Sequence, residues 1–221
     1  IPFKMETIYF PKLKNTFFFR RLLKLEEFVI KNVDRCVFIS NIGRENFLNY
    51  YPFMDRDKTT VILNGIEDLS EEEKKGLETV ENERGDFKYR MCCTGTINTR
   101  KGQRIIIEAL GHLDKSVLKD IHVTFVGEGP ERPFLEELVE KYGLQNNVCF
   151  QGAVENSKVY LQLAKANIYI LMSYNEGLPI SIIEAMRMGL PVISTCIAGI
   201  PALVVNEVNG VLLEPNVRQL I

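Results

Sequence analysis

Ile168-Tyr169-Ile170-Leu171-Met172 is an unbroken apolar run, and Ser173-Tyr174-Asn175-Glu176-Gly177-Leu178-Pro179 interrupts it with turn-forming and polar residues. Ile180-Ser181-Ile182-Ile183-Glu184-Ala185-Met186-Arg187-Met188 then sets apolar side chains at helical spacing. Gly189-Leu190-Pro191 stops the helix, and Val192-Ile193-Ser194 returns to a short apolar run. Buried strand, loop, helix and buried strand in that order make a parallel βαβ unit, because a tight hairpin cannot join parallel strands.

Working outward, the same alternation continues. Strands are predicted at Tyr89–Thr94, Val123–Val126, Val148–Phe150, Ile168–Met172, Val192–Ser194 and Gly210–Leu213, with helices near Gln103–His112, Glu131–Tyr142, Ser157–Ala164, Ile180–Met188 and Ile200–Val205. This is an α/β chain with a Rossmann-like, doubly wound parallel sheet over residues 87–221. Further upstream, Arg35–Ser40 and Thr60–Asn64 read as parallel strands flanking a helix from Arg44 to Tyr50. They are the remnant, within residues 1–64, of a second Rossmann-like domain. Residues 65–86, dense in Glu, Lys, Asp and Asn from Glu67 to Asp86, read as a linker or an exposed insertion.

The 221 residues are 46% hydrophobic and 25% charged with a formal net charge of −2, an ordinary globular composition that excludes a uniformly basic nucleic-acid binder. Cys36, Cys92, Cys93, Cys149 and Cys196 form no C-x-x-C pair, and four of them sit in or at the end of strand-like runs. Buried, reduced thiols in a cytoplasmic protein are expected, with no metal site. No apolar run reaches the length of a membrane span. The chain opens on Ile1 and stops after Leu220-Ile221 where another helix is expected, so both ends read as cut.

In a doubly wound sheet ligands bind beyond the carboxyl ends of the strands, which selects the loops 95–102, 127–130, 151–155, 173–181 and 195–201. Two carboxylates, Glu176 and Glu184, span a strand-to-helix junction there. Gly177 allows close backbone approach, Pro179 suits the first helical turn, and the amides from Leu178 to Ile182 point at any bound anion, aided by the helix dipole. Carboxylates beside a phosphate site make sense when a sugar is attached, since they accept hydrogen bonds from hydroxyls. The plainer alternative is that Glu176 caps the helix and Glu184 is a surface acid.

Ser173-x2-Glu176-Gly-Leu-Pro-x-Ser-x2-Glu184-Ala-Met-x2-Gly189-x-Pro191-Val-Ile-Ser-Thr-x3-Gly199-Ile-Pro201, followed by Asn209-Gly210, resembles the donor domain of glycosyltransferase family 4. Asn64-Gly65-Ile66, Gly95 with Lys101-Gly102, Gly127-x-Gly129-Pro130 and Val148-x-Phe150-x-Gly152 match in order, so the resemblance covers roughly residues 35 to 215. It implies the two-domain fold called GT-B and a retaining hexosyltransferase. That enzyme would take a nucleoside diphosphate sugar, with uridine favoured, and act on a glycan or lipid-linked acceptor in cell-surface polysaccharide or glycoconjugate synthesis.

The resemblance further implies that Glu176 contacts sugar hydroxyls and that Gly177, Leu178, Pro179, Ile180 and Ser181 hold the sugar and distal phosphate. Glu184 would hold the ribose, and Lys101 would neutralise the diphosphate as it leaves. Gly95, Gly102 and Gly127 line the donor cleft on this reading, and Gly152 presents backbone to the base with Lys158 nearby. Many members carry a basic residue where this chain has Thr96, so Arg100 either substitutes for it or the phosphates rely on Lys101 and amides alone. No cofactor or metal is expected. Gly127-Glu128-Gly129-Pro130 lacks the third glycine of a dinucleotide fingerprint and reads as a tight turn, with Pro130 opening the next helix. His112 and His122 have no role assigned.

Lys12 to Lys24 mixes cations with Phe17, Phe18 and Phe19, and the pattern extends as an amphipathic helix to Val33. Either Leu22, Leu25, Phe28 and Val29 pack against the first domain's sheet, or residues 12–33 touch an anionic membrane peripherally at its cytoplasmic face. A complete enzyme of this kind needs about one further Rossmann-like domain, so residues 1–221 are expected to bind donor but transfer sugar poorly. The competing class is a non-catalytic nucleotide-sugar-binding module of the same fold.

Overall fold

The computed structural model describes residues 17–80 and 86–221. They fall into two compact units, Ile1–Leu63 and Asn64–Ile221.

In the first unit, helix α1 (Phe17–Asn32) precedes strand β1 (Cys36–Phe38), helix α2 (Asn41–Tyr50) and strand β2 (Thr59–Val61). The strands run parallel, with Cys36 opposite Thr59. Helix α2 starts where it does because the Ser40 hydroxyl accepts the Gly43 amide at 3.1 Å. Ile30, Phe47, Tyr51 and Met54 form the core, and the rings of Phe38 and Phe47 lie 4.9 Å apart. The rotation of α1 differs from expectation: Phe19 and Ile30 are buried, Leu22 is half-buried, and Leu25, Phe28 and Val29 are exposed. One reason is polar, since the Tyr51 hydroxyl donates to Glu26 and turns that side of α1 inward. Residues 12–16 of the basic aromatic segment lie outside the described residues.

The second unit begins with helix α3 (Glu71–Val80), in the stretch read as linker or insertion. The Ser70 hydroxyl accepts the Glu73 amide at 3.2 Å, while the Glu73 carboxylate accepts the Ser70 amide at 2.7 Å. This capping box starts a helix whose charged composition disguises it. Gly76 lies so close to Tyr160 that a Cβ there would sit 2.7 Å from the phenol oxygen, so α3 packs onto the body of the unit.

The remaining elements alternate. They are β3 (Tyr89–Thr94), α4 (Gln103–Leu110), α5 (Lys115–Leu118), β4 (Ile121–Val126), α6 (Arg132–Tyr142), β5 (Val148–Gly152), α7 (Val159–Ala164), β6 (Ile168–Leu171), α8 (Ile180–Arg187), β7 (Val192–Thr195) and β8 (Gly210–Leu213). The six strands are all parallel in the order β5-β4-β3-β6-β7-β8. The strand order reverses between β3 and β6, and that is the switch point where such sheets open a crevice. Val123, Phe125, Tyr169, Ile170, Leu171, Ile182 and Val192 are buried at the centre of the core.

Two expected helices differ. Residues 200–205 hold a single 3-10 turn, Ile200–Ala202, because the Asn209 side chain accepts from the Val205 amide and donates to the Leu203 carbonyl, which ends the coil there. Helix α6 starts at Arg132 with Pro133 in its first turn, so Pro130 belongs to the preceding loop.

Candidate functional site

Three strand-to-loop turns meet at the switch point, and each is fixed by backbone proximity. Gly95 leaves β3 with φ of 128° and Gly127 leaves β4 with φ of 144°. A Cβ on Gly127 would lie 2.0 Å from the Gly95 carbonyl oxygen, so only glycine fits. Gly102, at φ of 68°, brings the loop after β3 against the loop after β6, where a Cβ would stand 1.9 Å from the Met172 carbonyl oxygen. The Tyr174 amide donates to the Arg100 carbonyl at 2.8 Å and joins the same two loops.

These turns frame a cleft of about 610 Å³. Gly95, Thr96, Lys101, Gly127, Glu176, Leu178, Pro179, Ile180, Ser181 and Glu184 all line it, so most of the residues singled out from the sequence come together in one place.

Glu176 is the most constrained of them. Its side chain is only 7% exposed, and its Oε1 accepts from the Ser173 hydroxyl at 2.8 Å and pairs with the Lys101 ammonium at 2.8 Å. The Ser173 carbonyl in turn accepts from the Thr195 hydroxyl at 2.8 Å, so the carboxylate is anchored through β7 as well. Lys101 is brought in by the Asn98 side chain, which accepts the Lys101 amide at 3.1 Å and starts a 3-10 turn. The two residues expected to act on sugar and phosphate are therefore each other's counter-ions in this structure.

Glu184 lies just over one turn into α8 and is half-buried. Burial raises its carboxyl above the ordinary Glu range, with Arg187 partly opposing the rise. Pro179 is the N-cap of α8 rather than part of its first turn, and its carbonyl accepts the Ile182 amide at 3.2 Å. Of the amides expected to meet an anion, that of Ile182 is thus already used. Those of Ile180 and Ser181 belong to the first turn, where the helix supplies no acceptor.

Five of the expected residues stand apart from the cleft lining. Arg100 is half-exposed and directs Nη1 to the Asn175 carbonyl at 3.1 Å, with Glu176 Oε2 at 3.8 Å, so it braces the acid's loop. Gly102 is a packing position behind the cleft, as its contact with Met172 dictates. The Gly152 carbonyl accepts the Gly127 amide at 2.8 Å. Lys158 is exposed and pairs with Glu155 at 3.0 Å. Gly177 is exposed at the turn. Glu128, Ala153 and Val154 lie in loops selected from the sequence but were given no individual role, Thr94, Val126, Asn156 and Val159 line the cleft from outside those loops, and Asn64 was assigned no task although the motif containing it was noticed. Among the described residues, no group of three or more His, Cys, Asp or Glu could hold a metal ion, and no helix is long and apolar enough to cross a membrane.

The chain is 31% identical over 193 residues to an uncharacterized glycosyltransferase of Methanocaldococcus jannaschii, covering 85% of this chain and 47% of that protein. It is 39% identical over 101 residues to a component of human phosphatidylinositol N-acetylglucosaminyltransferase, covering 46% of this chain and 21% of that one. Among solved structures, the lipopolysaccharide-biosynthesis glycosyltransferase WaaG aligns with a TM-score of 0.77 at 24% identity, over 93% of this chain and 57% of its own. HepE of Anabaena in complex with UDP aligns at 0.74 and 20% identity, over 94% and 57%. The chain spans about half the length of the curated relatives it matches, with 47% and 43% in two cases. Residues 74–221 match the family described as glycosyl transferases group 1, and the chain belongs to that family.

Proposed function

We propose that this chain carries the donor site of a retaining hexosyltransferase that uses a nucleoside diphosphate sugar, with uridine favoured, and a glycan or lipid-linked acceptor. One observation carries the reading: Glu176, Glu184, Lys101 and the first turn of α8 line a single cleft at the switch point of a doubly wound sheet. The relatives add support, since HepE has been solved with UDP and glucose and with UDP-glucose, and the human relative is named for N-acetylglucosaminyl transfer to phosphatidylinositol.

On this reading the diphosphate lies between Lys101 and the amides of Ile180 and Ser181, and Glu184 accepts from ribose hydroxyls. Lys101 exchanges the Glu176 carboxylate for phosphate oxygen, and Glu176 then accepts from the sugar. The acceptor hydroxyl attacks the anomeric carbon from the side of the leaving group and passes its proton to a departing phosphate oxygen. The bond from that carbon to the diphosphate breaks as negative charge gathers beside Lys101, so the ammonium does most in the transition state. Phosphate charge is met without a metal.

Calorimetric titration with UDP-glucose, UDP-N-acetylglucosamine, GDP-mannose and ADP-glucose tests the reading. One donor is expected to bind, and Glu176→Ala and Glu184→Ala are each expected to weaken it by about tenfold or more, the scale of a charge-assisted hydrogen bond. Unchanged affinity in both variants would sink the assignment. Peripheral membrane contact through residues 12–33 belongs to the same proposal, supported by exposed Phe17, Phe18, Leu25 and Phe28 on a helix that also carries Arg20, Arg21 and Lys24. Failure to pellet with anionic liposomes would remove that part alone.

A further inference from the structure

Asn64 opens the second unit, ahead of the segment that leads into α3. Its Nδ2 donates to the Leu178 carbonyl at 2.9 Å across 114 positions of sequence, and the residue lines the cleft. Leu178 is buried and immediately precedes Pro179, the N-cap of α8. A carbonyl at that position lies outside the ladder of α8, so the helix cannot orient it. The Asn64 amide does so from outside. A second tie fastens the same segment to the other end of the helix, where Arg187 Nη1 donates to the Glu67 carbonyl at 2.7 Å. Residues 64–67 therefore form a strap along α8, the helix whose first turn and Glu184 both face the cleft.

We propose that Asn64 is a positioning residue of the donor site. By holding the Leu178 carbonyl it sets the plane of the Leu178–Pro179 peptide and hence the direction in which the amides of Ile180 and Ser181 leave the first turn. Those amides meet the distal phosphate and the sugar, so Asn64 acts on that end of the ligand and not on the nucleoside. The proposal rests on the donor-binding reading above and extends it to a residue outside the two-carboxylate motif.

The test uses Asn64→Asp, which keeps size and shape but sets a carboxylate oxygen against the Leu178 carbonyl, together with Asn64→Ala. Each is titrated with the best-bound nucleoside diphosphate sugar of the panel, with its nucleoside diphosphate and with its nucleoside monophosphate. Thermal unfolding is measured in parallel. The expected result is about fivefold to tenfold weaker binding of the two diphosphates, the scale of one net hydrogen bond, with the monophosphate changed by less than about twofold. Hydrogen exchange at Ile182, whose amide is bonded to the Pro179 carbonyl at the start of α8, rises in Asn64→Asp, a readout that needs no ligand and serves if the Ala variant does not fold. Equal weakening of all three ligands would show general damage and overturn the proposal, as would unchanged affinity for the diphosphates. If wild-type binding falls in Glu176→Ala and Glu184→Ala but not in Asn64→Asp, only this inference is lost. If no donor binds the wild type, the reading beneath it is lost too.

Discussion

The two units of this chain are built from the same elements and differ in how well they are enclosed. In the second unit six parallel strands are layered with helices, and Val123, Leu171, Ile182 and Val192 lose all contact with solvent. In the first, two three-residue strands and two helices enclose a small core cluster of Ile30, Phe47, Tyr51 and Met54. Val37 stays 59% exposed and Ile62 60%, with Phe17 at 72%. A parallel strand needs cover on both faces, and a two-stranded pair is marginal by itself. The better enclosed of the two cores is the one beneath the cleft.

The largest expected effect comes from Gly102→Ala. The new methyl would stand 1.9 Å from the Met172 carbonyl oxygen at a left-handed φ of 68°, so the loops flanking the switch point must part. A loss of about 5 kcal/mol or more is expected in urea denaturation of the second unit, together with loss of donor binding. A wild-type midpoint would show that the loops are not rigidly held.

Next in size is a matched pair of core truncations. Ile182→Ala is expected to cost about 3–5 kcal/mol, because a fully enclosed site cannot collapse, whereas Ile30→Ala in the first unit should cost about 2 kcal/mol. Equal costs, read from hydrogen exchange in each unit, would break the comparison. Ser70→Ala removes the cap of α3 and should lower stability by about 1 kcal/mol, with fraying of that helix seen by exchange at Glu73 and Lys74.

The smallest effect concerns Glu184. Its carboxyl is raised in the folded state by burial, so the native state holds the proton more readily than the unfolded chain. Ionisation therefore works against folding. The penalty is absent at low pH, where both states are protonated, and grows as pH rises through the ordinary Glu value of about 4.3 toward the raised one. Glu184→Gln should raise the unfolding midpoint slightly at pH 7 and converge with wild type below about pH 4, while weakening donor binding. A lower midpoint at pH 7 would contradict this account.

Much of the second unit was legible because its strands are short apolar runs, with β3, β4 and β5 closed by glycine, and Tyr89–Thr94 and Gly210–Leu213 have the expected bounds. The cleft was legible because doubly wound sheets place ligands at loops that could be named in advance. Helix α3 was not, since an amphipathic count finds too few apolar residues between Glu71 and Val80. The usable signal was the Ser70-x-x-Glu73 box. Arg100 and Lys158 lie near the cleft in sequence, yet their long side chains find nearer partners in Asn175 and Glu155, a choice that spacing alone does not encode. Asn64 was invisible as a site residue for a different reason: its partner Leu178 is 114 positions away.

The contact between Gly102 and Met172, with the Tyr174-to-Arg100 hydrogen bond beside it, works as a rivet between two jaws. Lys101 stands on one jaw and Glu176 on the other, so the gape between cation and carboxylate is dictated by two main chains and not by the side chains that span it. Changes of side chain elsewhere on either loop can alter which molecule is held while leaving that gape as it was.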